Sequence, residues 1–557
     1  MDLRGCKLPK PSIQVEPLPP ALQSVRGYSN LSTAFPTLKD LLDLSDVSNA
    51  WLGSVIDRID CSGAPGSCLL AQGGNEIRAY MKTTHLLNPI QWIKGHYGKG
   101  DRRERKLTDP WNQAYIDTVA CFLVGRLHSQ GVSPHFNAFY GAFTATAAKY
   151  SYNLTEDFDS YRKNKWFWSA QKEGLYTLSV LNEDASGSVP DEILKDVYTE
   201  FDDASDDDSS VDSSDESDED EDEDEEDEDE EHDTSACEHD ESDSATEESI
   251  RSEVLEVEPM DVDAASLQSE EMSDTSFASD TSDMDGDYKI VCDISNYPVM
   301  LILTEENKGT MDALLDNFVE VGASPGSEEW EIRWSAWVFQ IIAALCTAQE
   351  LLGLTHNDLH TNNIVWSATE EEFLYYKMRD GTAFKVPTFG KIFRIIDFGR
   401  AIFTVNDKIY VSDDFRSQND AGGQYRFRPL YKTARHPILP NPSFDLCRFS
   451  VSIFQALFPD TPEVDESGEI LSAEDGLTVL KTTSPLYNVL WKWLIDDDGV
   501  NVLIDPDGSE RYPDFYLYKH IAACVHTAVP RQQFTEPAFD RFQVNPSEVG
   551  KAWSLFC

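Results

Sequence analysis

The stretch His356-Asn357-Asp358-Leu359-His360-Thr361-Asn362-Asn363-Ile364-Val365, followed by Ile395-Ile396-Asp397-Phe398-Gly399, decides how this chain is read. It sets an aspartate, an asparagine five residues on, and a second aspartate before Phe-Gly. Moving a phosphoryl group asks a protein mainly to position reactants and neutralise charge. One carboxylate can orient an attacking hydroxyl and accept its proton. An amide oxygen and a second carboxylate offer Mg²⁺ the hard oxygen ligands it prefers. A competing pattern in the same stretch takes His356, Asp358 and His360 as transition-metal ligands, but no further His/Cys cluster stands nearby to complete that set.

Together the two segments resemble the catalytic core of protein kinases. On that resemblance Asp358 matches the catalytic-loop aspartate, Asn363 the metal-binding asparagine, and Asp397 the aspartate of Asp-Phe-Gly. Asn357 stands where the family has arginine. The His-Asn-Asp-Leu-His form is also similar to aminoglycoside and choline kinases, which phosphorylate small molecules. The resemblance implies ATP and Mg²⁺ as cofactors and an α+β, bilobal protein kinase-like fold. A serine/threonine protein kinase is the leading expectation. A small-molecule kinase and a pseudokinase scaffold are the alternatives, the last opposed by the intact Asp358, Asn363 and Asp397.

Upstream, Ile77-Arg78-Ala79-Tyr80-Met81-Lys82 reads as a strand ending in a lysine, similar to the kinase strand whose lysine holds the α- and β-phosphates. Lys94, in Gln91-Trp92-Ile93-Lys94-Gly95, competes from a less strand-like setting. Followed by Leu86-Leu87-Asn88-Pro89, the lysine strand also resembles serine/threonine kinases of large DNA viruses. Ser62-Gly63-Ala64-Pro65-Gly66-Ser67 looks like a degraded glycine-rich loop, with Gly63 and Gly66 as phosphate contacts, or a plain hairpin. Gly73-Gly74 reads as the turn into the lysine strand. Asp109 and Pro110 read as cap and first residue of a helix carrying Ile116, Ala120, Leu123 and Leu127, with Gly131 as its stop. In the family an acidic residue of that helix pairs with the strand lysine. Here the residue offered is Asp117, shorter than the usual glutamate, with residues 86–108 as an insertion.

Downstream, Tyr288–Cys292 and Val299–Thr304 read as two strands. Residues 305–307 follow as a hinge whose backbone would meet adenine in the family, which singles out Glu305 and Asn307. Glu328 to Leu352 has helical periodicity, with Trp334, Val338, Ile341, Ile342 and Leu345 inward and Gly353 as stop. Between Asn363 and Asp397 lie 33 residues, so 368–391 read as inserted. About 40 residues after Gly399 lack an Ala-Pro-Glu signature. Ser443 to Phe449 then opens a helix whose Asp445 resembles the buried aspartate that ties down the catalytic loop, or simply meets its own helix dipole.

Composition sets the remaining bounds. The 557 residues carry a net charge of −56. Residues 201–287 hold 41 Asp/Glu against Arg251 alone and account for −40, leaving −16 for the rest. Such a chain lacks the clustered cations that phosphate backbones require, so no nucleic-acid partner is expected. The basic run Lys99–Lys106 reads as a solvated loop. Ten scattered cysteines without a Cys-x-x-Cys pair, and a start (MDLRGCKLPKP) without an apolar core, lead to an intracellular expectation with no membrane association. The divisions expected are a Pro-rich arm (1–40), the first part of a small lobe (41–200), an acidic insertion unable to fold alone (201–287), the small-lobe end and hinge (288–308), a large lobe (309–540) and a tail (541–557). The substrate expected is a protein, with basic proteins as partners of the acidic tract.

Overall fold

A computed structural model describes residues 25–33, 56–61, 66–98, 101–155, 157–182, 288–405, 407–416, 419–428, 437–474 and 477–557, with a few isolated residues between them. The acidic tract and Gly63 lie outside the described residues.

The first part of the chain builds β1 (Tyr28–Ser32), β2 (Arg58–Asp60), β3 (Ser67–Gln72), β4 (Asn75–His85), α1 (Pro89–Ile93), α2 (Arg102–Thr108), α3 (Gln113–Ser129), β5 (Phe139–Asn153), α4 (Phe158–Tyr161), α5 (Lys165–Lys172), β6 (Thr177–Asn182) and β7 (Tyr288–Glu305). The strands form one antiparallel sheet in the order β1-β5-β7-β4-β3-β2, with β6 also on β7. Gly73 and Gly74, at φ 55° and 87°, make the two-residue turn between β3 and β4, where both central residues need positive φ. β4 follows the period of two read from its sequence: Ala79 and Met81 are buried while Arg78 and Tyr80 face out, which sends Lys82 to the face opposite Met81.

The two strands expected at 288–292 and 299–304 are one continuous strand. Along β7, β5 pairs from Phe139↔Thr304 to Asn153↔Val291, while on the other side the partner changes from β6 to β4. The punctuation at Asp293–Pro298 marks that change of partner and not a break in the strand.

The second part holds β8 (Gly309–Thr310), α6 (Asp312–Leu315), α7 (Phe318–Val321), α8 (Glu328–Leu352), β9 (Ile364–Ala368), β10 (Phe373–Lys377), β11 (Ala383–Pro387), β12 (Lys391–Ile395), β13 (Phe403–Val405), β14 (Lys408–Tyr410), α9 (Phe444–Leu457), β15 (Ile470–Glu474), β16 (Leu477–Leu480), α10 (Pro485–Trp493), α11 (Phe515–Cys524), β17 (Gln543–Val544) and β18 (Trp553–Ser554). Ser327 Oγ accepts from Trp330 N at 3.2 Å to cap α8, and Gly353 at φ 55° ends it. Trp334, Val338, Ile341, Ile342 and Leu345 are all buried. By length and composition α8 is apolar enough to cross a membrane, but 83% of that window is buried inside the protein, as a core helix is.

Residues 368–391, expected as inserted, are ordered: β10 and β11 form a hairpin flanked by β17 and β18, and Phe384 packs on Phe339 of α8. Two sequence expectations change. Residues 541–557 supply those flanking strands, with Leu555 and Phe556 buried, and so do not trail off as a tail. The helix expected to start at Asp109-Pro110 starts at Gln113. Asn112 caps it, its Oδ1 accepting from Ala114 N at 3.1 Å. Asp109 is committed elsewhere, to Trp111 N at 2.9 Å and Arg416 at 2.7 Å. The mixed content is that of an α+β protein.

Candidate active site

Strand pairing assembles the two motif segments. In the β9/β12 ladder Ile364 faces Ile395, which brings Ile396 N to Asn363 O at 3.0 Å and sets Asp397 beside the loop. Asp445, near the start of α9 and fully buried, accepts from His356 N at 3.1 and 2.9 Å and from Asn357 N at 2.9 Å. Burial pushes its carboxyl pKa up. Both ring nitrogens of His356 are used: Nε2 lies 2.9 Å from Ile396 O and Nδ1 accepts from Asp358 N at 3.3 Å. His356 is therefore a strut for the loop, which displaces its reading as a metal ligand. Asn357 sits at φ 64°, a backbone region asparagine tolerates. Its Nδ2 donates to Thr355 O at 3.2 Å and Arg400 O at 2.9 Å, and its Oδ1 accepts from Tyr425 Oη at 2.6 Å.

Asp358 Oδ1 accepts from Tyr518 Oη of α11 at 2.9 Å. Burial favours its neutral acid, but Arg400, then His360 and Arg448, outweigh burial and bring its pKa down to about 2. The carboxylate is ionised at any working pH. Asn363 Nδ2 donates to Asp358 O at 2.9 Å and to His360 Nε2 at 3.0 Å, which turns its Oδ1 the other way.

Lys82 joins the parts. Its Nζ lies 2.6 Å from Asp117 Oδ2 and 2.6 Å from Asp397 Oδ1. Burial opposes its charge, yet Asp117 and Asp397 together hold its pKa well above the usual lysine range. Burial likewise opposes the charge on Asp397, and Lys82 overcomes it. Asp117 is fully engaged, because its Oδ1 accepts from Phe398 N at 3.0 Å. An aspartate reaches because α3 lies close to the sheet. At Gly125 a Cβ would stand 2.7 Å from Phe139 Cβ, so only glycine permits that approach. Lys94, the competing lysine, ends α1 with its Nζ over the Trp166 ring, 4.9 Å from the centroid.

Other expected residues serve the protein first. Glu305 pairs with Arg394 at 2.6 Å, and Asn307 Nδ2 donates to Asn137 Oδ1 at 3.2 Å and Glu305 O at 3.1 Å. Their side chains are occupied, and so is the Glu305 backbone: its N–H donates to Ala138 O at 3.0 Å and its carbonyl accepts from Asn307. Gly66, at φ 77°, lies where a Cβ would be 2.3 Å from the Tyr80 ring, and its carbonyl accepts from Met81 N at 2.7 Å. Its positive φ and the nearby Tyr80 ring both favour glycine.

Asn363 and Asp397 fit Mg²⁺: one neutral and one anionic hard oxygen donor beside a fixed ammonium. Among the described residues no group of three or more His, Cys, Asp or Glu is arranged to hold a metal. Sequence reasoning missed Tyr518, Tyr425, Arg400 and Arg448. Arg400 directly follows Asp-Phe-Gly and was findable; the others are brought in by elements far along the chain.

No family model matches the chain, and no curated protein matches it. Among solved structures it is similar to a crystal structure of the kinase domain of PF14_0431, at 14% identity over 44% of this chain and 75% of that chain, with a TM-score of 0.19.

Proposed function

We propose that this chain is an ATP- and Mg²⁺-dependent phosphotransferase with a protein kinase-like fold, transferring to serine or threonine hydroxyls of proteins. The observation that carries the reading is the Lys82 ammonium at 2.6 Å from both Asp117 and Asp397, beside the Asp358–Asn363 loop. When bound, Mg·ATP supplies the phosphoryl group and part of the charge neutralisation. Lys82, fixed by Asp117, meets phosphate oxygens; Asn363 and Asp397 hold the metal; Asp358 orients the acceptor hydroxyl and takes its proton. The backbone of the hinge at residues 305–307 would meet the base, with the Glu305 N–H already held by Ala138 O. The likeness to kinases of large DNA viruses rests on the lysine strand and Leu86–Pro89 alone.

The test is ATP turnover with the wild type, Asp358→Asn and Asp397→Ala. Asp358→Asn lowers turnover about 10²–10⁴-fold while Mg·ATP still binds. Asp397→Ala weakens Mg·ATP binding itself. Unchanged transfer in both variants overturns the reading.

A small-molecule kinase is the second reading, favoured by His360 two residues after Asp358 and by the neutral Asn357. A panel of proteins and a panel of amino and hydroxyl small molecules, assayed side by side against Asp397→Ala, separates the two.

A further inference from the structure

The segment after Gly399 is tied to α3 by carboxylates of its own. Asp413, 2% exposed in its side chain, forms an ion pair with Lys106 of α2, and its Oδ1 accepts from Gln113 N, the first residue of α3, at 3.0 Å. Its backbone N donates to Trp111 O at 2.7 Å, and Arg416 pairs with Asp109 at 2.7 Å. Next in sequence, Asp414 pairs with Arg400 Nε at 3.1 Å, with both side chains almost buried. These bonds cross from the segment to two places: the start of the helix that carries Asp117, and the residue directly after Asp397-Phe398-Gly399.

We propose that Asp413 and Asp414 are positioning residues for the phosphotransfer site: a built-in double carboxylate that docks the 410–416 segment onto α3 and Arg400, so that Lys82, Asp117 and Asp397 are aligned without any phosphate on the segment. The inference rests on the phosphotransferase reading and adds to it how the site is held ready. A carboxylate at a helix N-terminus accepts an otherwise unpaired amide and meets the positive end of the dipole. Here it also meets Lys106, so one buried side chain fixes α2, α3 and the segment together. Asp117 then transmits the position of α3 twice, to Lys82 and to Phe398 N. Asn357 completes the picture: it is neutral and bonds the Tyr425 hydroxyl, so the loop carries no cation at that position to receive a phosphate.

The test compares wild type, Asp413→Lys, Lys106→Asp and the double exchange Lys106→Asp/Asp413→Lys, each treated with phosphatase. Two readouts are taken: steady-state kinetics for ATP, and hydrogen exchange at the first turn of α3 and at Phe398 N. Phosphatase leaves the wild-type rate unchanged. Asp413→Lys raises KM for ATP and lowers kcat/KM by about tenfold or more, and its α3 and Phe398 amides exchange faster. The double exchange restores only the ion pair between positions 106 and 413, so it recovers part of the loss in kcat/KM while the first turn of α3 still exchanges fast, because a lysine cannot accept from Gln113 N; a general loss of stability would not split the two readouts. A folded Asp413→Lys with wild-type kinetics and exchange overturns the latch, as does activity abolished by phosphatase with the lost phosphate mapped to residues 400–440. A wild type that turns over no ATP overturns the reaction itself, and the latch's catalytic role with it.

Discussion

In the proposed reaction Asp358 is the residue on which the chemistry turns, and Tyr518 is the one that holds it. The Tyr518 hydroxyl donates to Oδ1 at 2.9 Å, and burial raises its pKa to about 12, so it remains a donor across the working range. With Oδ1 taken, the other oxygen is left for an acceptor. A hydrogen bond to a charged group is worth about 1.5–3 kcal/mol, and about 1.4 kcal/mol is a factor of ten in rate. Tyr518→Phe is therefore expected to lower kcat about tenfold with KM for ATP unchanged. A higher kcat in that variant would mean that the hydroxyl competes with the acceptor. At this scale the sequence was most legible where spacing carries the chemistry. Asp358, Asn363 and Asp397 lie in two short segments, and a single ladder, β9 with β12, brings those segments together. Tyr518 was not legible, because nothing in Tyr518-Lys519-His520 marks a residue that meets a carboxylate 160 positions earlier. Gly66 carries a constraint that the sequence did not show: its φ of 77° and the Tyr80 ring beside it both favour glycine there.

At the scale of elements, what the periodicity predicts survives, and an end shifts only where a candidate cap has another partner in space. α8 runs from Glu328 to Leu352 as read, because capping residue, apolar stripe and terminal glycine all agree. α3 begins later than read, because Asp109 was a plausible cap in sequence but has an arginine to pair with in space. The spacing between α3 and the sheet sets whether Asp117, one methylene shorter than a glutamate, reaches Lys82. Gly125→Ala forces a Cβ toward Phe139 and is expected to destabilise the fold by about 1–3 kcal/mol and to raise KM for ATP. Asp117→Glu added to that variant restores part of the lost affinity, because the longer side chain spans the wider gap. Thermal melts and ATP kinetics on the single and double variants check both statements; no rescue would mean that the pair's distance is not what Gly125 sets. His135 makes a second link between elements. Its Nδ1 lies 2.9 Å from Phe393 O of β12 and its Nε2 2.7 Å from Tyr376 Oη of β10. Burial holds its pKa down to about 4. The unfolded chain, with histidine near 6.5, takes up this proton first as pH falls, so stability is full above about pH 6.5 and is lost between there and about 4. The loss from this group is on the order of 3 kcal/mol. His135→Gln is expected to flatten the fall in melting temperature between pH 7 and 5; an unaltered slope would assign it to other groups.

For the whole molecule the question is what −40 of charge in residues 201–287 does beside a body of −16. Residues 183–287, most of them the tract, join β6 to β7, and Asn182 at the end of β6 pairs with Tyr288 at the start of β7. The two flanks thus meet as neighbouring strand ends, as in a hairpin, and the sheet closes whatever length of chain connects them. Loop length costs little once the ends are fixed: each doubling adds about 0.6 kcal/mol. Deleting residues 203–284 is therefore expected to leave the melting temperature and the rate on a short peptide nearly unchanged. The proposal that the tract gathers basic protein substrates makes a further demand. Attraction between exposed charges is screened over about 10 Å at 0.1 M salt, while tethering raises effective concentration only as long as that attraction holds. The full chain then phosphorylates a basic protein such as a histone faster than the deletion variant does at low salt, and the advantage disappears as salt rises. Equal rates at low salt would reduce the tract to a solvated, self-repelling connection. Loss of cooperative unfolding on deletion would defeat that reading as well, because the tract would then be part of what holds β6 against β7.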